Sequence, residues 1–216
     1  RLDRFLTLPD LQKALSEYIF YSPTSSIILE NFNDPGIDWQ KTADIIELLV
    51  TEFGHTGPIA FITKMGIPPK HVQRLAQLKE QGARIIAIVT YSGLPKAIEP
   101  PSPIGRLRTM QNLKQAGIPV ILSMRPMIEG INGTPENITR VLQETNGAVD
   151  LITVGGLFVY DSFTPQAFAE AGYPLPEVYT QDTYSAAKLM PIDFRKMVRQ
   201  LAKEKGFQTP IQNHTS

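Results

Sequence analysis

The sequence predicts an α/β fold built on parallel strands, and three observations predict it. Short apolar, β-branched runs alternate with helix-period segments, and the repeat is roughly 30 residues, the spacing of βαβ units. Pro or a capping residue opens several of the helices and Gly closes most of them, which leaves links of a few residues between elements. Polar residues gather just after the strands, where parallel sheets bind ligands.

Taken in order, Leu2–Tyr21 carries Leu8, Leu11, Leu15 and Ile19 at helical spacing, with Pro9-Asp10 near its start. Ser25–Leu29 is a strand that runs into a polar, turn-rich segment, residues 30–36. Asp38 caps a helix over Trp39–Phe53 whose apolar face is Ile45, Ile46, Leu49 and Val50, with Gly54 ending it. Ile59–Ile62 is the next strand, closing in Thr63-Lys64. Pro68-Pro69 opens a helix over Lys70–Gln81, stopped by Gly82.

The central unit spans Arg84–Asn132. It holds a strand (Ile85–Val89), the polar segment Thr90-Tyr91-Ser92-Gly93, a proline-bounded loop and an amphipathic helix closed by Gly117. A second strand, Val120–Met124, then ends in Arg125, Pro126 and the turn Met127–Gly130. Thr134-Pro135 opens a helix over Asn137–Thr145, and Val149–Val154 is the fifth strand. Gly155-Gly156 after it reads as a bend, or as room for a ligand edge.

Beyond residue 160 the pattern changes. Asp161–Thr183 is rich in Pro, Gly and aromatics, has no clean period, and reads as a lid, a binding loop or an interface arm. Pro191 opens a helix over Ile192–Lys205 with Phe194, Met197, Val198 and Leu201 on one face, ended by Gly206. Pro210–Ser216 reads as a tail or as the start of a further element.

Composition bounds the function. The 216 residues suffice for one real core. Lys plus Arg (21) equals Asp plus Glu (21), so net charge offers no support for nucleic acid or an anionic membrane surface, although a local basic patch stays open. No apolar run approaches the roughly 20 residues of a membrane span. Without a signal-like segment the expected setting is cytoplasmic, and the start at Arg1 suggests a trimmed or processed chain. Cysteine is absent, which excludes disulfides, cysteine nucleophiles and thiolate-bound metal within these residues. His55, His71 and His214 lack metal-ligand spacing and read as surface residues. No GxSxG, P-loop, HExxH or GxGxxG signature occurs.

The residues that could carry chemistry sit at strand ends. Lys64 is either a carboxylate-binding cation or a solvated lysine. Asn33, Thr90 and Ser92 are ordinary turn residues that gain weight by following successive strands. Arg125 directly follows a buried strand and must be paired or ligand-facing. Glu99 and Arg106 read as structural, with Arg106 free to point outward. An ordinary barrel enzyme using Asp34, Lys64 and Arg125 for acid–base work is a further reading, without a second carboxylate or a histidine to accompany them.

Four stretches, in order and at matching spacing, carry a family resemblance over about residues 25–135: ENFNDPGIDW (Glu30–Trp39), AFITK (Ala60–Lys64), Arg84–Leu107 with its Thr90, Ser92, Glu99-Pro100 and Gly105-Arg106-Leu107, and Ala116–Gly130. Together they resemble the radical S-adenosylmethionine (radical SAM) proteins, in the spore photoproduct lyase-like branch. The resemblance implies a partial (β/α)6 TIM-like barrel with parallel strands over residues 1–159, lacking its first strand and cluster loop, and a C-terminal loop-and-helix extension over 160–216. It implies S-adenosylmethionine across the strands' carboxyl ends, with Asn33 near its amino group and Lys64 at its carboxylate. Thr90 and Ser92 would meet carboxylate or ribose, and Arg125 and the Ile128–Gly130 turn would approach ribose or adenine.

The family's [4Fe–4S] cluster needs three cysteines of a CxxxCxxC loop after the first strand. That segment would precede Arg1, so the cluster ligands are not in this chain. The hydrogen-donor cysteine of the lyase branch would fall near Asn31. The expected function is therefore a radical SAM-type core that binds S-adenosylmethionine for radical-based hydrogen abstraction, with a small-molecule cofactor as partner and the substrate open. The alternative is a cluster-free barrel that binds a nucleotide-like ligand or a partner subunit.

Overall fold

The computed structural model describes residues 7–29, 33–159, 163–179, 190 and 192–212. Five strands form one open sheet: β1 (Ile27–Leu29), β2 (Pro58–Thr63), β3 (Arg84–Thr90), β4 (Val120–Met124) and β5 (Leu151–Val154). All are parallel and lie in chain order. Helices α2 (Trp39–Thr51), α3 (Pro69–Glu80), α4 (Pro103–Gln115) and α5 (Pro135–Thr145) connect them. Helix α1 (Leu8–Glu17) precedes the sheet, and α6 (Phe163–Glu170) and α7 (Phe194–Glu204) follow it.

Local chemistry sets these boundaries. Asp38 caps α2 by accepting from Lys41 N at 3.0 Å, Ser102 caps α4 through Gly105 N at 3.3 Å, and Thr134 caps α5 through Asn137 N at 3.2 Å. Helices α3, α4 and α5 each place Pro in their first turn, where no backbone donor is lost. Gly117 follows α4 with φ +68°, a left-handed turn that glycine adopts without a Cβ clash.

The strands bury alternate residues, and every buried set faces the helices. Ile59, Phe61, Ile85, Ala87, Val89, Val120, Leu122, Met124, Ile152 and Val154 join Ile46, Leu49, Leu75, Met110, Leu113, Val141 and Phe194 in one core. The intervening Ala60, Ile62, Ile86, Ile88, Ile121, Leu151 and Thr153 are half-buried. A doubly wound sheet carries helices on both faces. One helix-covered face with strands in chain order is instead an arc of a barrel. The fold is thus α/β, a partial, open TIM-like barrel.

Two features past β5 join this arc. Helix α7 packs against α5, and its Phe194, Val198 and Ala202 belong to the main core. Ile211 then bridges Ile152 in parallel, with Ile152 N donating to Pro210 O and Gln212 N to Ile152 O, each at 2.9 Å. A second, smaller core lies at the strands' carboxyl ends, where Leu94, Ile128, Leu157 and Val159 meet Phe168, Leu175 and Tyr179. Residues 163–179 therefore pack on the loops leaving β3, β4 and β5.

Several expectations change. The first helix is predicted over Leu2–Tyr21; residues 2–6 lie outside the described residues, and the described part runs over Leu8–Glu17, where Thr7 and Asp10 form a reciprocal capping box. It has no buried residue, and Ile19 is 85% exposed, so no packing extends the helix to that position. His55 and His71 are buried rather than on the surface. His55 lies against Tyr21, whose hydroxyl is 3.1 Å from Nδ1, and burial lowers its pKa although a bond with the Ser25 backbone opposes that. His71 sits on the inner stripe of α3 beside Val72, Leu75 and Leu78, and burial together with Lys70 and Arg74 lowers its pKa against the pull of Asp38 and Asp44. His214, Asn31, Pro191 and residues 180–183 lie outside the described residues. Among the described residues no helix is long and apolar enough to cross a membrane.

Candidate functional site

Strand alternation assembles the site. Side chains two apart share a face, so the face opposite the main core carries Ile62 of β2 with Lys64 just after it, Ile88 and Thr90 of β3, and Ser123 of β4 with Arg125 just after it. At the carboxyl ends these meet the loop after β5 around a groove of about 300 Å³. Its lining is Ile62, Lys64, Thr90, Arg125, Pro126, Gly156, Leu157 and Phe158. Three candidates from the sequence, Lys64, Thr90 and Arg125, thus come together.

The other three do not line the groove. Asn33 is exposed on the loop after β1. Ser92 is fully buried, its backbone oxygen accepting from Asn132 Nδ2 at 2.9 Å and Asn137 Nδ2 at 3.0 Å, while its hydroxyl has no partner. Ile128 is fully buried in the smaller core. Asp34, the acid of the acid–base reading, has its carboxylate committed to architecture. It accepts from Gly36 N at 2.8 Å, Thr63 Oγ1 at 2.7 Å and Lys64 N at 2.6 Å, tying the loop after β1 to the end of β2. The carboxylate thus faces backbone and side-chain donors of its own loop and strand, and Asp34 is not among the residues lining the groove.

Lys64 does not stand free. Glu99, in the loop between β3 and α4, is 3% exposed and pairs through Oε2 with Arg106 Nη1. Its other oxygen lies 3.1 Å from Lys64 Nζ, within ion-pair range but off the direction of a hydrogen bond. Arg106 is fully buried, contrary to its outward reading. Its guanidinium donates to Thr90 O at 3.0 Å and Pro101 O at 3.3 Å and stacks 5.1 Å from the Tyr91 ring centroid. A buried arginine is tolerable only with a carboxylate and further acceptors, and here it has both. The Tyr91 hydroxyl in turn donates to Glu144 at 2.5 Å and accepts from Arg140 at 2.9 Å.

Arg125 is held differently. Its Nε donates to Ser123 Oγ at 2.7 Å, and no carboxylate among the described residues pairs with it. Burial lowers its pKa. Gly155 makes room for it, because a Cβ there would lie 2.6 Å from Arg125 Cδ and 2.8 Å from Cγ. The two glycines after β5 therefore serve the arginine and the groove edge.

Sequence reasoning missed three parts of this arrangement. The Glu99–Arg106 pair was legible only as two charges seven residues apart. Ser123, a hydroxyl inside an apolar strand, was a signal that went unused. So was Asn132, which is fully buried and donates to Ser92 O and Pro126 O while accepting from Ile128 N at 2.8 Å. It pins the loops after β3 and β4 to each other.

Neither a family model nor a curated protein matches the chain. Solved structures do. A point variant of spore photoproduct lyase matches at a TM-score of 0.61 and 17% identity, over 96% of this chain and 65% of that one. Streptococcus suis SuiB, solved bound to its precursor peptide SuiA, matches at 0.54 and 11%, over 88% of this chain and 38% of that one. At such identities the likeness establishes a shared fold. This chain spans less than two thirds of the length of either protein.

Proposed function

We propose that this chain is the core of a radical SAM-type enzyme and that the groove between Lys64 and Arg125 takes S-adenosylmethionine. The observation that carries the reading is the convergence of Lys64 and Thr90 on one groove with apolar walls at the strands' carboxyl ends. The fold shared with two radical SAM enzymes supports it.

The residues suit the cofactor. Lys64 offers a cation for a carboxylate and Thr90 a hydroxyl partner, while Ile62, Pro126, Leu157 and Phe158 offer apolar surface for an adenine. They do not suit the [4Fe–4S] cluster: the chain has no cysteine, and no group of three His, Cys, Asp or Glu among the described residues could hold a metal. On this reading the cluster's ligands come from outside these 216 residues. Bound S-adenosylmethionine would supply the family's hydrogen-abstracting radical chemistry. The chain's own residues would orient it: Glu99, fixed by Arg106, keeps the Lys64 ammonium at the groove, and the apolar lining excludes water.

Calorimetry with S-adenosylmethionine on this chain tests the proposal. Binding that weakens about tenfold in Lys64→Ala supports it; no heat of binding with the wild-type chain overturns it. The absence of cysteine favours a second reading, a cluster-free binding module. A CxxxCxxC sequence in the reading frame before Arg1, with 5′-deoxyadenosine formed after reconstitution with iron and sulfide, would set that reading aside.

A further inference from the structure

The groove holds two cations in unequal states. Lys64 lies against Glu99, a carboxylate it shares with Arg106, whereas Arg125 is matched only by a hydroxyl. With Nε committed to Ser123 Oγ, the outer edge of the guanidinium, its two Nη groups, has no protein partner among the described residues. Ser123 and Gly155 hold the side chain in a slot, so the fork is pre-positioned. A planar fork of this kind matches a two-oxygen acceptor. S-adenosylmethionine is itself net positive, and its single carboxylate falls to Lys64. An unpaired guanidinium in the same half-buried groove would repel the sulfonium unless an anion accompanied it.

We infer that Arg125 is the recognition group for a carboxylate on the substrate rather than a contact of the cofactor. This deepens the proposed function and rests on it only in giving the cofactor's carboxylate to Lys64. A carboxylate, with two oxygens on one plane, matches the single guanidinium edge left to the groove. The substrate class is therefore a molecule that carries a carboxylate.

The test uses benzoate as probe, with benzamide and inorganic phosphate as controls, in calorimetry and in NMR of the arginine Nε–H resonances of the whole chain. The expected result is that benzoate binds and shifts the Arg125 resonance, while benzamide and phosphate bind at least about tenfold more weakly. Arg125→Gln should abolish benzoate binding, and Arg125→Lys, which keeps the charge without the fork, should restore little. Benzoate that leaves the wild-type Arg125 resonance unmoved overturns the inference without any variant. So does phosphate binding more tightly than benzoate, or benzoate affinity that survives in a folded Arg125→Gln. A chain that ignores S-adenosylmethionine but binds benzoate through Arg125 would sink the cofactor reading while supporting this one.

Discussion

Two arginines at the strands' carboxyl ends live under opposite conditions. Arg106 is fully buried and has a carboxylate, two backbone carbonyls and an aromatic face. Arg125 is half-buried and has one hydroxyl and the space left by a glycine. The first is spent on architecture, since its partners are all internal and fix the loop between β3 and α4. The second retains donors facing a groove. Position after a strand does not separate these roles. What separates them is the partner count at each guanidinium.

The largest expected effect tests the first half of this contrast. Glu99→Ala leaves Arg106 buried without its carboxylate and should cost about 3–5 kcal/mol, read from urea unfolding. Arg125→Gln should cost about 1 kcal/mol or less by the same measurement, because only one hydrogen bond is lost. Equal costs would break the comparison.

Gly155→Ala sharpens the second half. The added Cβ meets the flexible Arg125 side chain, not backbone, so the side chain should swing away and lose Ser123. Stability should change by about 1 kcal/mol, with benzoate affinity falling about tenfold. Unaltered benzoate affinity would show that the slot does not position the fork.

The smallest effect concerns pH. Arginine keeps its charge near neutrality, so mild acid sensitivity should come from the buried histidines and not from the groove. Both His55 and His71 have pKa values lowered in the folded chain, chiefly by burial. Protons then bind the unfolded chain more readily. Stability is complete above the unfolded value of about 6.5, declines as pH falls below it, and levels off beneath the folded value. Urea midpoints between about pH 7 and pH 5 should fall in the wild type and fall less in a His55→Gln, His71→Gln double variant. An identical slope in both would assign the acid response elsewhere.

Much of the fold was legible because its signals are local. The caps at Asp38 and Thr134, the stops at Gly54, Gly82 and Gly117, and the apolar runs of β2 to β5 each act within a few residues. Lys64, Thr90 and Arg125 were legible as strand-end polar residues for the same reason. Asn33, Ser92 and Ile128 looked alike in sequence, yet one is exposed and two are buried away from the groove. The far end of the first helix failed because Leu15 is the last apolar residue of α1 to pack on the core, and Tyr18, Ile19 and Phe20 beyond it are exposed. The surface reading of His55 and His71 failed because the lack of metal-ligand spacing says nothing about burial. The stripe that His71 shares with Val72, Leu75 and Leu78 was in plain view.

By itself, the sequence determined the α/β class, the order of the elements and the absence of cysteine ligands. These follow from side-chain period, turn chemistry and composition, which need no long-range contact. Only the tertiary structure decided that the helices cover one face, that Glu99 and Arg106 neutralise each other beneath Lys64, and that Gly155 opens a slot for Arg125. Gly155 meets Arg125 across 30 positions of chain, and Lys64 meets Glu99 across 35. Encounters of that range are set by the register between strands, and no local pattern encodes which side chain waits at the other end.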